Sequence, residues 1–263
     1  MGIPLSTAVV QSGHIVNYPL REERVDYKFS GSVLRSYAGG KTAPETRQGS
    51  VSGVYSVLLS AKGSEWAVTG LTKEMTGVSG KKPLATFDLG KAKGGKWTIS
   101  PPGSPPVFTW NGKPSTPFVM GAPTWPLAWA PIRPPAPLRI GDEVLVDFTL
   151  PMHSLLEDDP IGSTNLKVRL IFDGSASGSV PLWRFNIRTD APISLIVKHP
   201  EDPEIALRGT LKLDGEIFVA REDGRVEFSR VIYSIRIRLE GEQYEFGFSS
   251  AELIATSDFK RVR

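Results

Sequence analysis

Between residues 231 and 239 the chain alternates. Val231, Tyr233, Ile235, Ile237 and Leu239 are apolar, and Ser234, Arg236 and Arg238 fill places between them. A repeat of two marks a β-strand with one buried and one wet face, because successive side chains of an extended chain point to opposite sides. The same pattern recurs along the sequence. Val25, Tyr27, Phe29 and Val33 predict a first strand, and Val51, Tyr55, Val57 and Leu59 a second. Lys62-Gly63 supplies a turn before Trp66-Ala67-Val68, so residues 51–71 read as a hairpin. A short strand is expected near residues 86–89. Further on, three strands are marked by Val144 to Leu150, Leu166 to Phe172, and Trp183, Phe185 and Ile187. Ile193, Leu195 and Val197 follow an expected corner at Asp190-Ala191-Pro192.

The final meander runs through Leu211, Leu213, Ile217 and Val219, a turn at Asp223-Gly224, and the strand at 231–239. Tyr244, Phe246 and Phe248 predict one strand more. Val226 and Phe228 are apolar on even positions, whereas residues 231–239 are apolar on odd ones. That switch of parity places a β-bulge near Ser229-Arg230. Asp173-Gly174 reads as a type I′ hairpin turn, and the tail Lys260-Arg261-Val262-Arg263 as a solvated end. No segment sustains a 3.6-residue period, so helix is limited to one turn at most, near residues 152–159. Hairpins rather than strand–helix–strand units predict an all-β protein of antiparallel meanders, forming curved sheets as a half-barrel or sandwich.

Residues 101–137 differ in kind, with twelve prolines interleaved with Phe108, Trp110, Phe118, Trp125 and Trp129. Proline lacks an N–H and restricts the residue before it, which excludes helix and central strand. The aromatic content argues for an ordered strap rather than disorder. The chain therefore divides into a basic N-terminal meander (1–100), a Pro/Trp-rich strap (101–137) and an acidic C-terminal meander (138–263). The net charge is only +3, but residues 1–137 hold 15 Lys/Arg against 7 Asp/Glu, and residues 138–263 hold 16 against 21. The lysine excess centres on Lys73, Lys81, Lys82, Lys91, Lys93, Lys96 and Lys113. Such a field suits a polyanion, or else it faces the acidic half or is simply solvated.

Cysteine is absent, which removes disulfides, thiolate metal sites and a cysteine nucleophile. Asparagine and glutamine are scarce while proline reaches 22, a composition expected of a thermophilic source or of a GC-biased genome. No run approaches a membrane helix, and no Lys or Arg precedes Arg21, so no export signal is expected in the sequence as written. A transmembrane barrel could use the strand 231–239 with its arginines lining a lumen, but the proline strap, the short strands expected in the first half and a mean hydropathy of −0.13 argue against it. Three histidines limit acid–base chemistry. His14 and His199 lie in irregular stretches, and only His153, near Glu157, Asp158 and Asp159, offers a base–carboxylate pair or a metal site. No nucleophile elbow, phosphate loop, dinucleotide fingerprint or calcium loop accompanies it. Nucleic-acid binding would need aromatics beside the strand arginines 184, 188, 236 and 238, and periodicity sends those rings to the opposite face.

Three motifs carry a resemblance: Tyr27-Lys28-Phe29 opening a strand, Pro137-Leu138-Arg139-Ile140-Gly141-Asp142 entering another, and the run Gly209 to Asp214-Gly215, read as a late hairpin. In these the chain resembles uncharacterised bacterial cell-envelope proteins of exported or lipoprotein type. The resemblance implies a curved antiparallel sheet and a periplasmic or cell-envelope location, and it carries over no functional residues. The chain departs from that class in lacking an export signal and a lipobox cysteine, and in the proline content of its strap.

The expected function is non-enzymatic, without cofactor or metal. A lipid-like or amphipathic ligand, or an anionic surface polymer, would be held by Trp110, Trp125, Trp129, Lys81, Lys82, Lys93 and Lys96. An open inner face of the curved sheet would be the place for an apolar ligand. The alternative is a structural subunit of a larger assembly, such as a surface layer, a pilus-associated complex or a virion, self-associating or joined to other envelope proteins. A hydrolase centred on His153 is a weaker third expectation, and nucleic acid is not an expected partner.

Overall fold

The computed structural model describes residues 22–39, 44–62, 65–79, 82–83, 94–99, 107–110, 113–114, 137–153, 160–197, 205–240 and 249–263. Among them the alternating segments all become strand, and there is no helix. The first half contributes β1 (Arg24–Ala38), β2 (Glu45–Lys62), β3 (Glu65–Ser79), β4 (Lys82–Pro83), β5 (Lys96–Ile99), β6 (Val107–Trp110) and β7 (Lys113–Pro114). The second contributes β8 (Glu143–His153), β9 (Pro160–Ser177), β10 (Pro181–Val197), β11 (Ile205–Ala220), β12 (Val226–Glu240) and β13 (Ser250–Arg261).

All belong to one antiparallel sheet, in the order β7-β6-β5-β3-β2-β1-β13-β12-β11-β10-β9-β8, with β4 on β3. From β1 at the centre the strands walk out to β7, restart at the opposite edge with β8 and walk back until β13 lies against β1. The two meanders are thus halves of a single sheet, open at β7 and β8. Residues 107–110 and 113–114, inside the proline-rich stretch, supply short strands at one edge, the place where proline's missing N–H is tolerated.

Lys260, Val262 and Arg263 of the tail are exposed as expected, but the segment before them is the seam. Lys260 and Arg261 close β13, which pairs with β1 on one side and β12 on the other. β13 escaped notice because its inward positions include Ala251, Ala255 and Ser257, which leave no strong apolar alternation. Its one large inward ring, Phe259, stacks on Tyr27 of β1 at 4.5 Å.

Three expected turns are not turns. Asp173-Gly174 does not turn the chain: β9 runs on to Ser177, and the register against β10 slips between Trp183 and Phe185. Gly174 takes φ +88°, the left-handed conformation of a bulge glycine. Asp190-Ala191-Pro192 likewise lies within a continuous β10, and Asp214-Gly215 within β11 rather than in a hairpin. The turn at Asp223-Gly224 forms as expected, closed by Ala220 N–H donating to Arg225 O (2.8 Å) and Gly224 N–H to Ala220 O (2.9 Å).

The inner face of both meanders forms one continuous core that includes Tyr27, Tyr55, Trp97, Phe148, Phe172, Phe185, Tyr233 and Phe259. Strands of 15 to 18 residues are long, and they must coil to share that core. Gly215 marks the coiling: a Cβ there would lie 2.1 Å from the Arg230 carbonyl oxygen on β12.

Candidate functional site

Of the binding residues singled out from the sequence, the three that are described lie toward the β7 side of the sheet. Lys96 opens β5 with its side chain exposed, opposite Thr109 of β6, and Trp110 closes β6. Lys82 opens β4. Lys81, Lys93, Trp125 and Trp129 lie outside the described residues, as do His14, His199 and the expected strands at 86–89 and 244–248. His153 ends β8 opposite Pro160, and residues 154–159 are also outside. No group of three or more metal-ligating side chains exists among the described residues. Lys73, part of the lysine field, donates to Asp26 at 2.6 Å and holds that carboxyl below its usual range.

The inner face is packed rather than open among the described residues. Phe29 stacks on Tyr55 at 4.0 Å, and Trp97 meets Tyr55 edge-on at 5.5 Å. Burial raises the phenols of Tyr27, Tyr55 and Tyr233 well above their ordinary range, because a phenolate in an apolar surrounding loses its hydration.

The wet face is mainly polar, with Leu34, Val78, Leu145, Ile232 and Ile254 exposed among its polar groups. Cations sit opposite acids in register: Lys167 on Asp147, Lys212 on Asp190 (3.1 Å), Arg230 on Asp258 (2.6 Å) and Arg236 on Glu252 (2.7 Å). One row crosses eight strands through Ile171, Asn186, Glu216, Arg230, Asp258, Ser30, Ser52 and Thr76. At the usual strand spacing it is about 34 Å long.

Below that row lies the feature that periodicity missed. The bulge of β12 is at Glu227 rather than at Ser229-Arg230, with the register slipping between Phe218 and Val219. The extra residue turns Phe228 from the inner face to the wet face, where it meets Phe218 at 5.9 Å. Arg184 lies 5.7 Å over the Phe218 ring and Arg230 5.9 Å over the Phe228 ring. Arg184 is held by Asp173 (3.2 Å), carried on the β9 bulge, and by Glu216 (3.3 Å). Two bulges therefore aim a pair of partly exposed rings, flanked by guanidiniums and carboxylates, at solvent. A shift of parity was legible in the sequence, but not the residue at which it falls.

A second polar cluster is structural. Asp223 accepts from Arg261 Nη1 (2.8 Å) and from the Arg225 backbone N–H (3.1 Å), while Arg225 Nη2 donates to the Glu23 carbonyl (2.6 Å). Arg263 grips Glu227 through two hydrogen bonds of 2.8 and 2.9 Å. These groups tie the β11–β12 turn to the end of β13 and the start of β1.

No protein-family model matches the chain, and no curated protein matches it. The wet face itself therefore carries the functional reading.

Proposed function

We propose that this protein is a non-enzymatic component of the cell envelope that holds a surface polymer, a glycan chain, against the wet face of its sheet. The observation that carries this reading is the pair Phe218 and Phe228, turned outward beside Arg184, Arg230, Glu216 and Asp258. An aromatic ring offers an apolar platform to the C–H face of a sugar, and planar charged groups beside it suit the hydroxyls. The row above continues the contact perpendicular to the strands, which favours an extended ligand over a compact one. Interleaved carboxylates favour a glycan over nucleic acid, whose phosphates they would repel. The packed inner face favours a polymer over a lipid-like ligand. The envelope location rests on the resemblance of the strand motifs. Binding to soluble peptidoglycan fragments, read by calorimetry, tests the proposal. Wild-type protein binds, and Phe228→Ser weakens binding at least tenfold; a wild-type protein that ignores these fragments would sink it.

A second reading is the assembly subunit, favoured by β8. This edge strand pairs only with β9 among the described residues, and it leaves Leu145 58 % exposed. A free edge is a template for another chain. Native mass spectrometry separates the readings: higher oligomers at micromolar concentration favour the subunit, and a monomer or dimer the polymer binder.

A further inference from the structure

We propose that the depression on the upper wet face, lined by Arg208, Arg236 and Arg238, is an oxyanion site that takes the phosphate group of an anionic polymer. The depression has a volume of about 430 Å³, and Ser36, Ala38, Thr210, Ser250 and Glu252 complete its wall.

The number of guanidiniums is what sets it apart. Elsewhere on this face a cation lies opposite an acid, as Lys212 on Asp190 and Arg230 on Asp258, or opposite a single like charge, as Lys28 on Lys260 and Arg188 on Arg169. Here Arg208 of β11 lies directly opposite Arg238 of β12, and the next positions outward are Ser194 on β10 and Ser250 on β13. Like charges in direct cross-strand register repel, and an anion bound between them would relieve that repulsion. A third guanidinium, Arg236, stands two residues along β12 and is steadied by Glu252 at 2.7 Å. Antiparallel partners stand ~5 Å apart at Cβ and next-but-one residues ~7 Å apart, so the three forks converge on one small group.

The floor consists of Ala38, Ser36 and Ser250, whose short side chains create the hollow. Ser250 Oγ donates to the Ala38 carbonyl at 3.2 Å, so the guanidiniums rather than this hydroxyl supply the donors at the floor. Three guanidiniums with nearby hydroxyls present more donors than a planar carboxylate can use, and they suit a tetrahedral oxyanion. The polymer as the source of that phosphate rests on the reading of the wet face given above; the oxyanion site rests on its own geometry.

The full chain is titrated by calorimetry with inorganic phosphate, with linear polyphosphate, and with phosphatidylglycerol or phosphatidylcholine vesicles. Polyphosphate binds more tightly than inorganic phosphate, and the affinity falls as salt rises. Arg238→Gln weakens polyphosphate binding at least tenfold, while Lys212→Gln, a wet-face cation outside the depression, serves as the unchanged control. Because the substitution relieves the like-charge pair, Arg238→Gln also raises the melting temperature of the unliganded protein by ~1–3 °C. Binding by the wild type to none of these probes, or undiminished binding by Arg238→Gln, overturns the site. Binding to phosphatidylglycerol vesicles alone overturns the polymer as the source. Peptidoglycan fragments titrated in parallel separate the two proposals, since a protein that binds polyphosphate but no glycan keeps this site and loses the reading it extends.

Discussion

Replacing Asp223 by alanine tests whether the seam between the two meanders is held by charge. The Asp223 side chain is 4 % exposed and those of its partners Arg225 and Arg261 3 % and 9 %. Removing one member of a buried ion pair costs about 3–5 kcal/mol, because the remaining charge stays desolvated without compensation. Glu227, 3.8 Å from Arg261, offsets part of that loss and sets the expectation at the lower end, about 3 kcal/mol. For a chain of this size that corresponds to a fall in melting temperature of about 6–12 °C. The comparison is Glu252→Gln, which breaks a pair of similar length, 2.7 Å against 2.8 Å. The side chains of that pair are 71 % and 37 % exposed, so its loss costs under about 1 kcal/mol. Urea unfolding of both variants, with equal slopes against denaturant, gives the two differences. Equal losses for Asp223→Ala and Glu252→Gln would refute the reasoning, since Asp223 is buried between two arginines and Glu252 is partly exposed beside one.

Other outcomes follow from the same structure. Gly215→Ala lowers stability by about 1–3 kcal/mol in urea unfolding, since its Cβ would meet the Arg230 carbonyl oxygen at 2.1 Å and strands β11 and β12 would have to part. Deleting residues 250–263 removes the strand between β1 and β12, so the cooperative calorimetric transition disappears. Stability is flat through neutral pH and falls above about pH 10, where the unfolded chain releases the protons of Tyr27, Tyr55 and Tyr233 and the folded chain, with raised phenol values, does not. The slope approaches about 4 kcal/mol per pH unit for three such groups, and absorbance at 295 nm reports their ionisation together with unfolding.

The strands were legible where large apolar residues alternate with charges, as in Trp183, Phe185 and Ile187 or Tyr233, Ile235 and Ile237. The inward facing of Leu166, Val168, Leu170 and Phe172 follows from periodicity alone. β13 was not legible, because Ala251, Ala255 and Ser257 face inward and the local signal depends on side-chain size. Nor was the pairing of β1 with β13, which joins segments more than two hundred residues apart and leaves no local mark. The outward turn of Phe228 depends on which residue of β12 is extra, a matter of register against β11. The opposition of Arg208 and Arg238 depends on register in the same way. Among the residues expected to bind, Lys96 is exposed on the sheet, and Trp125 and Trp129 lie outside the described residues.

Hydroxyl-radical footprinting tests the binding face most directly, because it reads side-chain accessibility residue by residue. With saturating peptidoglycan fragments, Phe218 and Phe228 lose reactivity, while the buried Phe172 and Phe185 are unreactive with or without ligand. Unchanged labelling of Phe218 and Phe228 in a protein that has bound the fragments would contradict the account and place the ligand elsewhere.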